Sequence, residues 1–385
     1  MSLVSSPLEG VHKALGAKFA QFGGWEMPLE YAGVLAEHQA VRERVGVFDV
    51  SHLGTFLVAG SGAKDWLNSR LTNDLDRISA GQAQYTLLLD EAGGVVDDMI
   101  VYVFSPDKVM VIPNASNSDE VIARLRAGAP ADLSWTDFHQ QAATIAVQGP
   151  RSADVLAEVG LPTDLAYMSF AEVGESDGLK QTGQEGQEGP SPLVPIPDDV
   201  ALTVCRTGYT GEKGYEIVAP ASRAVELWES LMRAGEKYGI APCGLGARDT
   251  LRTEMGYPLH GNDLSRSISP VEARVGWAVG WKKEHFDGDG PARALKASGP
   301  SRVLLGIRAC GRGIPRHGMS VVDDQGATVG EVTSGTFSPT LKVGVGLAFL
   351  PAETKVGDEV LVQIRNRTEA FEVVKPPFVA SHVTD

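Results

Sequence analysis

The stretch Gly93-Gly94-Val95-Val96-Asp97-Asp98-Met99-Ile100-Val101-Tyr102 sets two adjacent carboxylates inside an otherwise apolar run. Asp90-Glu91 followed by Gly93-Gly94 signals a turn, and the run after it reads as a buried strand. With a strand over 85–89 it makes a hairpin. Strand side chains alternate, which puts Val96, Asp98, Ile100 and Tyr102 on one face and Val95, Asp97, Met99 and Val101 on the other. An ionised carboxylate in such a run is costly unless something pairs with it. One aspartate is therefore expected to have a structural partner and the other to face a cavity. Backbone groups at a strand end could instead satisfy both, and the pattern alone does not choose.

Outward from this hairpin, the spacing of Val34, Leu35, His38, Val41 and Val45 predicts a helix over 30–45 that Gly46 ends. Upstream, 8–15 reads as a short amphipathic turn and 22–28 as a fixed loop anchored by Trp25. Strands are expected at 55–59, 108–113 and 142–148, and helices at 63–71, 118–126 and 152–159. Strands and helices alternate but hairpin turns also occur, so an α+β fold of mixed, largely antiparallel sheets is expected rather than a doubly wound one. Residues 174–199, rich in Gly, Pro and acidic side chains with no aromatic, read as an exposed insertion loop or a disordered linker. Patterning resumes with strands at 201–206 and 214–218 and helices at 224–237 and 242–254. Residues 276–281 look strand-like. Short strands at 303–309, 320–322, 328–333, 343–349, 359–364 and 370–374 then mark a small β-barrel or sandwich. The division expected is 1–285, holding the chemistry in two subdomains, and 300–385, the barrel.

The 385-residue chain carries 34 Lys and Arg against 49 Asp and Glu, a net −15, which argues against nucleic acid as a partner. A few local cations could still bind a small anion. Cys205, Cys243 and Cys310 are scattered, with neither disulfide nor metal spacing, and no His cluster suggests a metal. No apolar run is long enough for a membrane span, and a cytoplasmic location is expected.

Candidate chemistry outside the Asp pair is sparse. Gly208-Tyr-Thr-Gly211-Glu-Lys-Gly214 leads to a strand and is neither a dinucleotide fingerprint nor a phosphate loop; it is expected to bring Tyr209 and Glu216 towards one cavity. Gly244-Leu-Gly-Ala-Arg248 precedes a helix, where backbone amides and Arg248 could make an acceptor-binding corner. An ion pair of Arg248 with Asp249 or a nearby Glu is the alternative. Ser51-His52 is not a triad, Trp277 and Trp281 read as packing residues, and no nucleophile stands out.

Taken in order, the motifs carry more than any one of them. Phe22-Gly-Gly-Trp25-Glu-Met-Pro28, Gly46-Val-Phe-Asp-Val-Ser-His-Leu-Gly54, Leu71-Thr-Asn-Asp74, Gly93-Gly-Val-Val-Asp-Asp98, Gln148-Gly-Pro150 and Arg206-Thr-Gly-Tyr-Thr-Gly-Glu212 stand in one succession. Gly214-Tyr-Glu-Ile217, Gly244-Leu-Gly-Ala-Arg-Asp-Thr-Leu-Arg252 with Glu254, Thr333-Ser-Gly335, Ser338-Pro339 and Pro377-Phe378 continue it. This order, from about residue 8 to about residue 378, resembles the glycine-cleavage T proteins, the aminomethyltransferases. The resemblance implies transfer of a one-carbon unit from the aminomethyl-lipoyl arm of a lipoylated H protein to tetrahydrofolate, with release of ammonia. It implies that Asp98 is the folate-proximal carboxylate, that Asn114, Glu216 and Arg248 contact folate, and that Leu53, Tyr85, Ile100, Tyr102 and Tyr209 complete the pocket. Leu53 stands where the family usually has Met, a volume-conserving change. Asp97 becomes the structural member of the pair. Docking of an acidic H protein on this acidic chain would need a local basic patch, for which Lys282-Lys283 and Arg365 with Arg367 are candidates. Two rivals share the shape: a folate-dependent demethylase of the dimethylsulfoniopropionate or sarcosine type, and a non-catalytic folate-binding factor of iron–sulfur assembly. Asp98 argues against the second.

Overall fold

The computed structural model describes residues 3–173 and 202–385. The segment expected to be an insertion, 174–199, lies outside them.

Two sheets face each other across the middle of the molecule. One has five strands in the order Gln82–Leu89, Val95–Ser105, Lys108–Ile112, Phe56–Ala59 and Ser134–Asp137, all neighbours antiparallel. The other has six, in the order Phe170–Val173, Leu202–Cys205, Gly214–Pro220, Ala142–Gln148, Val45–Asp49 and Ile240–Pro242. Only its last pair is parallel. Each sheet is apolar on both faces, as a layer covered on both sides must be. On the outer face of the first, Phe56, Val58, Met99, Val101, Val109 and Val111 pack on Leu67, Val121 and Leu125 of helices Ala63–Arg70 and Ser118–Arg126. On the outer face of the second, Val47, Ile145, Val147, Tyr215 and Ile217 pack on Leu227, Trp228 and Leu231 of helix Ala224–Gly235. Between the sheets, Leu57, Ala83, Tyr102 and Met110 meet Ala142, Cys205 and Val218. The site opens from this inner layer.

A closed six-stranded barrel, Arg302–Ala309 to Arg367–Val374, follows helix Asp289–Ser298. It has a core of its own around Ile307, Val321, Val332, Val362 and Phe371. Leu347 and Phe349 also join Val95, Leu264, Ile268 and Phe286, which seats the barrel against the first sheet. No helix among the described residues is long and apolar enough to cross a membrane.

Three local expectations are corrected. Residues 22–28 are not a fixed loop: Lys18–Phe22 and Trp25–Glu30 form a hairpin closed by Gly23-Gly24, whose φ values of +56° and +87° suit a two-residue turn that only glycine makes cheaply. Residues 276–281 are not a strand. A single turn of 3₁₀ helix, Gly276–Ala278, is closed by the Trp281 Nε1–H donating to the Gly276 carbonyl at 2.8 Å. In the opening strand, the register slips between Leu88 and Leu89, leaving Val96 as the extra residue of a bulge. Val96 therefore packs with Met99 and Val101 on the outer face, while Val95 points towards Leu264. The expected parity holds only from Asp97 onward.

Candidate active site

The bulge decides how the two aspartates part. Asp97 is fully buried on the outer side of its strand, next to the loop that follows Lys108–Ile112. It accepts from the Asn114 backbone N–H at 2.9 Å, the Asn114 Nδ2 at 2.8 Å and the Asn117 Nδ2 at 2.8 Å. Asp98 faces the inner layer and is only half-buried. The Tyr85 hydroxyl donates to its Oδ2 at 3.0 Å, and the Asn114 Nδ2 reaches its Oδ1 and its carbonyl, each at 3.0 Å. Asn114 thus ties the carboxylates together and has its amide donors committed to them.

Burial pushes both acids up, Asp97 to about 8, with the charge of Asp98 adding to the effect on Asp97. Hydrogen bonds from Asn114 and Asn117 pull Asp97 back, and those from Tyr85 and Asn114 pull Asp98 back. A carboxyl raised in this way, as Asp98 is, suits a general acid–base group. Burial and Asp98 also hold the Tyr85 phenol well above its usual range, so Tyr85 stays a donor.

Glu216 enters from the second sheet. It alternates with Tyr215 and Ile217, which face the outer core, so its carboxylate points inward. The Thr207 hydroxyl donates to its Oε2 at 2.6 Å, and Tyr102 lies 3.3 Å from the same hydroxyl. Tyr102 itself is buried against Phe170, one layer below the opening, and holds Glu216 through Thr207. Ile100, half-buried, joins the same inner cluster.

Arg248 lies on the first turns of helix Leu245–Met255. That helix is held by its far end: Glu254 accepts from Arg42 and Thr340, and Arg252 reaches Asp263 at 3.1 Å and Ser334 at 2.9 Å. Among the described residues Arg248 makes neither of the alternative ion pairs, and Asp249 is taken instead by Arg252 at 2.7 Å. Nor is the N–H of Gly244, the residue before the helix, free for an anion. The Gly244 N–H already donates to Glu37 at 2.8 Å, and a Cβ at Gly244 would lie 2.2 Å from the Leu29 carbonyl oxygen. Gly244 and Gly246 permit close packing against Leu29 and Val34, and the Arg248 side chain is the group the motif offers a ligand. Its guanidinium lies 4.7 Å from the centre of the Tyr209 ring, and its Nη1 is buried without a hydrogen-bond partner. Tyr209 stacks on Tyr257 and donates its hydroxyl to the Pro258 carbonyl. Leu53 packs beside Ala247 and Leu251 of the same helix.

The structure adds to the sequence-based expectations at several residues. His52 is buried, its Nδ1 unpartnered, and burial with the nearby Arg248 charge lowers it to about 3. Ser51 is structural, accepting from the Thr144 N–H at 3.1 Å. Trp277 is 65% exposed and stacks on Tyr85 at 5.2 Å, so it is a surface platform beside the site and not a packing residue. Asn117 and His260, 3.0 Å apart, flank Asp97. Lys283, one of the expected docking cations, is committed instead to the carbonyls of Asn68, Leu71 and Asn73, and burial lowers it to about 8.

Two apposed sheets and a closed barrel, with an acid pair on the first sheet, a glutamate on the second and Arg248 on helix Leu245–Met255, make this an α+β enzyme whose candidate site lies in the inner layer. The GCVT N-terminal domain family matches residues 8–180 and 197–283, and the glycine cleavage T-protein C-terminal barrel domain matches 302–380. An aminomethyltransferase of Frankia alni is 54% identical over 98% of both chains. One of Mycobacterium avium is 50% identical, over 98% of this chain and 97% of its own. The crystal structure of the glycine cleavage system aminomethyltransferase T from Bartonella henselae superposes with a TM-score of 0.88 at 34% identity over the whole of both chains. The chain belongs to the glycine cleavage T-protein family and is an aminomethyltransferase.

Proposed function

We propose that the inner layer holds tetrahydrofolate, with Glu216 and Arg248 on the pterin and Asp98 beside the nitrogens that accept the carbon. The carbon donor is then the aminomethyl-lipoyl arm of an H protein, and ammonia is released. Tetrahydrofolate supplies the accepting nitrogens; the chain supplies orientation and proton handling. A carboxylate such as Glu216 suits the adjacent N–H donors of a pterin, and the Thr207 hydroxyl fixes which of its oxygens is left for them. Arg248 can donate to the pterin oxo group. Asp98, raised by burial and held by Tyr85 and Asn114, can give a proton to the departing amine and take one back. Its negative form also stabilises positive charge developing on the transferred carbon.

The observation that carries this reading is the buried Arg248 Nη1 without a partner. A charged donor with no partner among the described residues, close to an aromatic ring, calls for a further acceptor, which a bound pterin would supply. Membership of a folate-using aminomethyltransferase family supports the same ligand. Action in the cytoplasm is part of the proposal, and the demethylase and iron–sulfur readings are set aside with it. The test is ammonia release from aminomethyl-loaded H protein with tetrahydrofolate. Asp98→Asn should lose at least about 100-fold in kcat while still binding folate. Full activity of that variant would sink the role of Asp98.

A further inference from the structure

His260 makes two polar contacts beside the Asp97–Asp98 pair. Its Nδ1 lies 3.0 Å from the Asn117 Nδ2, and its Nε2 lies 3.2 Å from the Val95 carbonyl. The same Asn117 Nδ2 donates to Asp97 Oδ1 at 2.8 Å. An amide nitrogen has two hydrogens, and both are assigned: one to Asp97, one to His260. His260 must then accept at Nδ1 and carry its own proton on Nε2, which donates to Val95. That carbonyl belongs to the bulged start of the strand that presents Asp97 and Asp98.

The segment holding His260 is itself well fixed. Asp263 accepts from the Leu259 N–H at 2.8 Å and is gripped by Arg252, Thr333 and Ser334. The Val95 N–H donates to the carbonyls of Ser265 and Ile268 at 3.0 and 3.1 Å. Val95 is thus clamped at N–H and C=O by one segment, 260–268, and only the second clamp runs through a side chain. The Asn114 Nδ2 passes the effect on, because it is shared between Asp97 Oδ1 and Asp98 Oδ1.

We propose that His260 is a positioning residue for the transfer reaction: through Asn117 and Val95 it fixes Asp97, and through Asp97 and Asn114 the orientation of the Asp98 carboxylate. The proposal rests on the reading of Asp98 as the carboxylate at the reacting nitrogens. Without the Nδ1 acceptor, the Asn117 amide can turn, and Asp97 loses one of its three donors.

Four variants test it in the H-protein assay. His260→Leu should lower kcat roughly 10- to 100-fold, the range expected of sub-ångström misplacement, with the tetrahydrofolate Kd changed less than about threefold. His260→Gln can accept from Asn117 and donate to Val95, and should stay within about threefold of wild type. Asn117→Leu should match His260→Leu, and the double variant should be no slower than either alone. Nitrogen-15 NMR should report His260 with its proton on Nε2. Wild-type kcat in His260→Leu, losses that multiply in the double variant, or a proton on Nδ1 would each overturn the proposal. If His260→Leu does not fold, the Gln and Asn117 variants and the NMR tautomer decide. An active Asp98→Asn would instead fault the underlying site, whatever the His260 variants do.

Discussion

Replacing Arg248 by leucine should leave the free protein as stable as before and strip it of its folate affinity. The stability side follows from what Arg248 lacks. Its Nη1 is buried without a partner, a deficit of about 1–3 kcal/mol that leucine does not carry. Against that, leucine gives up the cation–π contact with Tyr209 at 4.7 Å, roughly 0.5–2 kcal/mol. It also gives up attraction to Glu216, roughly 1 kcal/mol in a site half open to water. These terms nearly cancel, so urea unfolding should place Arg248→Leu within about 1 kcal/mol of wild type. On the binding side, a hydrogen bond involving a charged group is worth about 1.5–3 kcal/mol, which predicts a rise of roughly 10- to 150-fold in the tetrahydrofolate Kd by titration calorimetry. Arg248→Lys should recover only part of the loss, because an ammonium cannot reproduce the planar fork. A loss of more than about 2 kcal/mol in stability would make Arg248 a structural residue. A Kd within threefold of wild type would remove it from the ligand site.

Two further outcomes follow from buried groups. His52, lowered to about 3, stays neutral in the folded chain while the unfolded chain takes up a proton near pH 6.5. The stability it contributes is whole above pH 6.5 and is lost as pH falls towards 3, with a slope of at most about 1.4 kcal/mol per pH unit. His52→Gln should flatten the wild-type pH dependence between pH 6.5 and 4 in urea titrations; parallel curves would contradict the burial argument. A Cβ at Gly94 would sit 1.8 Å from the Arg266 carbonyl oxygen, in the segment that clamps Val95. Gly94→Ala should cost on the order of 3 kcal/mol, and a cost below about 1 kcal/mol would mean that this segment yields easily.

What the chain announced in advance was whatever local physics dictates. The barrel strands were legible from turn punctuation, and 320–322 and 359–364 match Ser320–Val322 and Glu359–Ile364 residue for residue. Helix Ala224–Gly235 was legible because Leu227, Trp228 and Leu231 face one core. The inward direction of Asp98 was legible because alternation survives from Asp97 onward. Its role, with those of Glu216 and Arg248, came from family resemblance and not from periodicity.

The bulge and the pairing of the amide before Arg248 share a cause: each depends on a partner far away in the chain. The bulge at Val96 exists because Val95 is held by Ser265, Ile268 and His260, about 165 residues on. No window of sequence contains both ends of that clamp. The same distance hid the fate of the Gly244 amide, which Glu37 had already claimed. Burial without a partner is also invisible in sequence, since Arg248 and Lys283 are both plain cations on paper. One is bare at Nη1 and the other is committed to three carbonyls. That contrast separates a cation available to a ligand from one that holds a loop. It also explains why reversing the charge of Lys283 would report on the loop after helix Ala63–Arg70 before it reported on any docking surface.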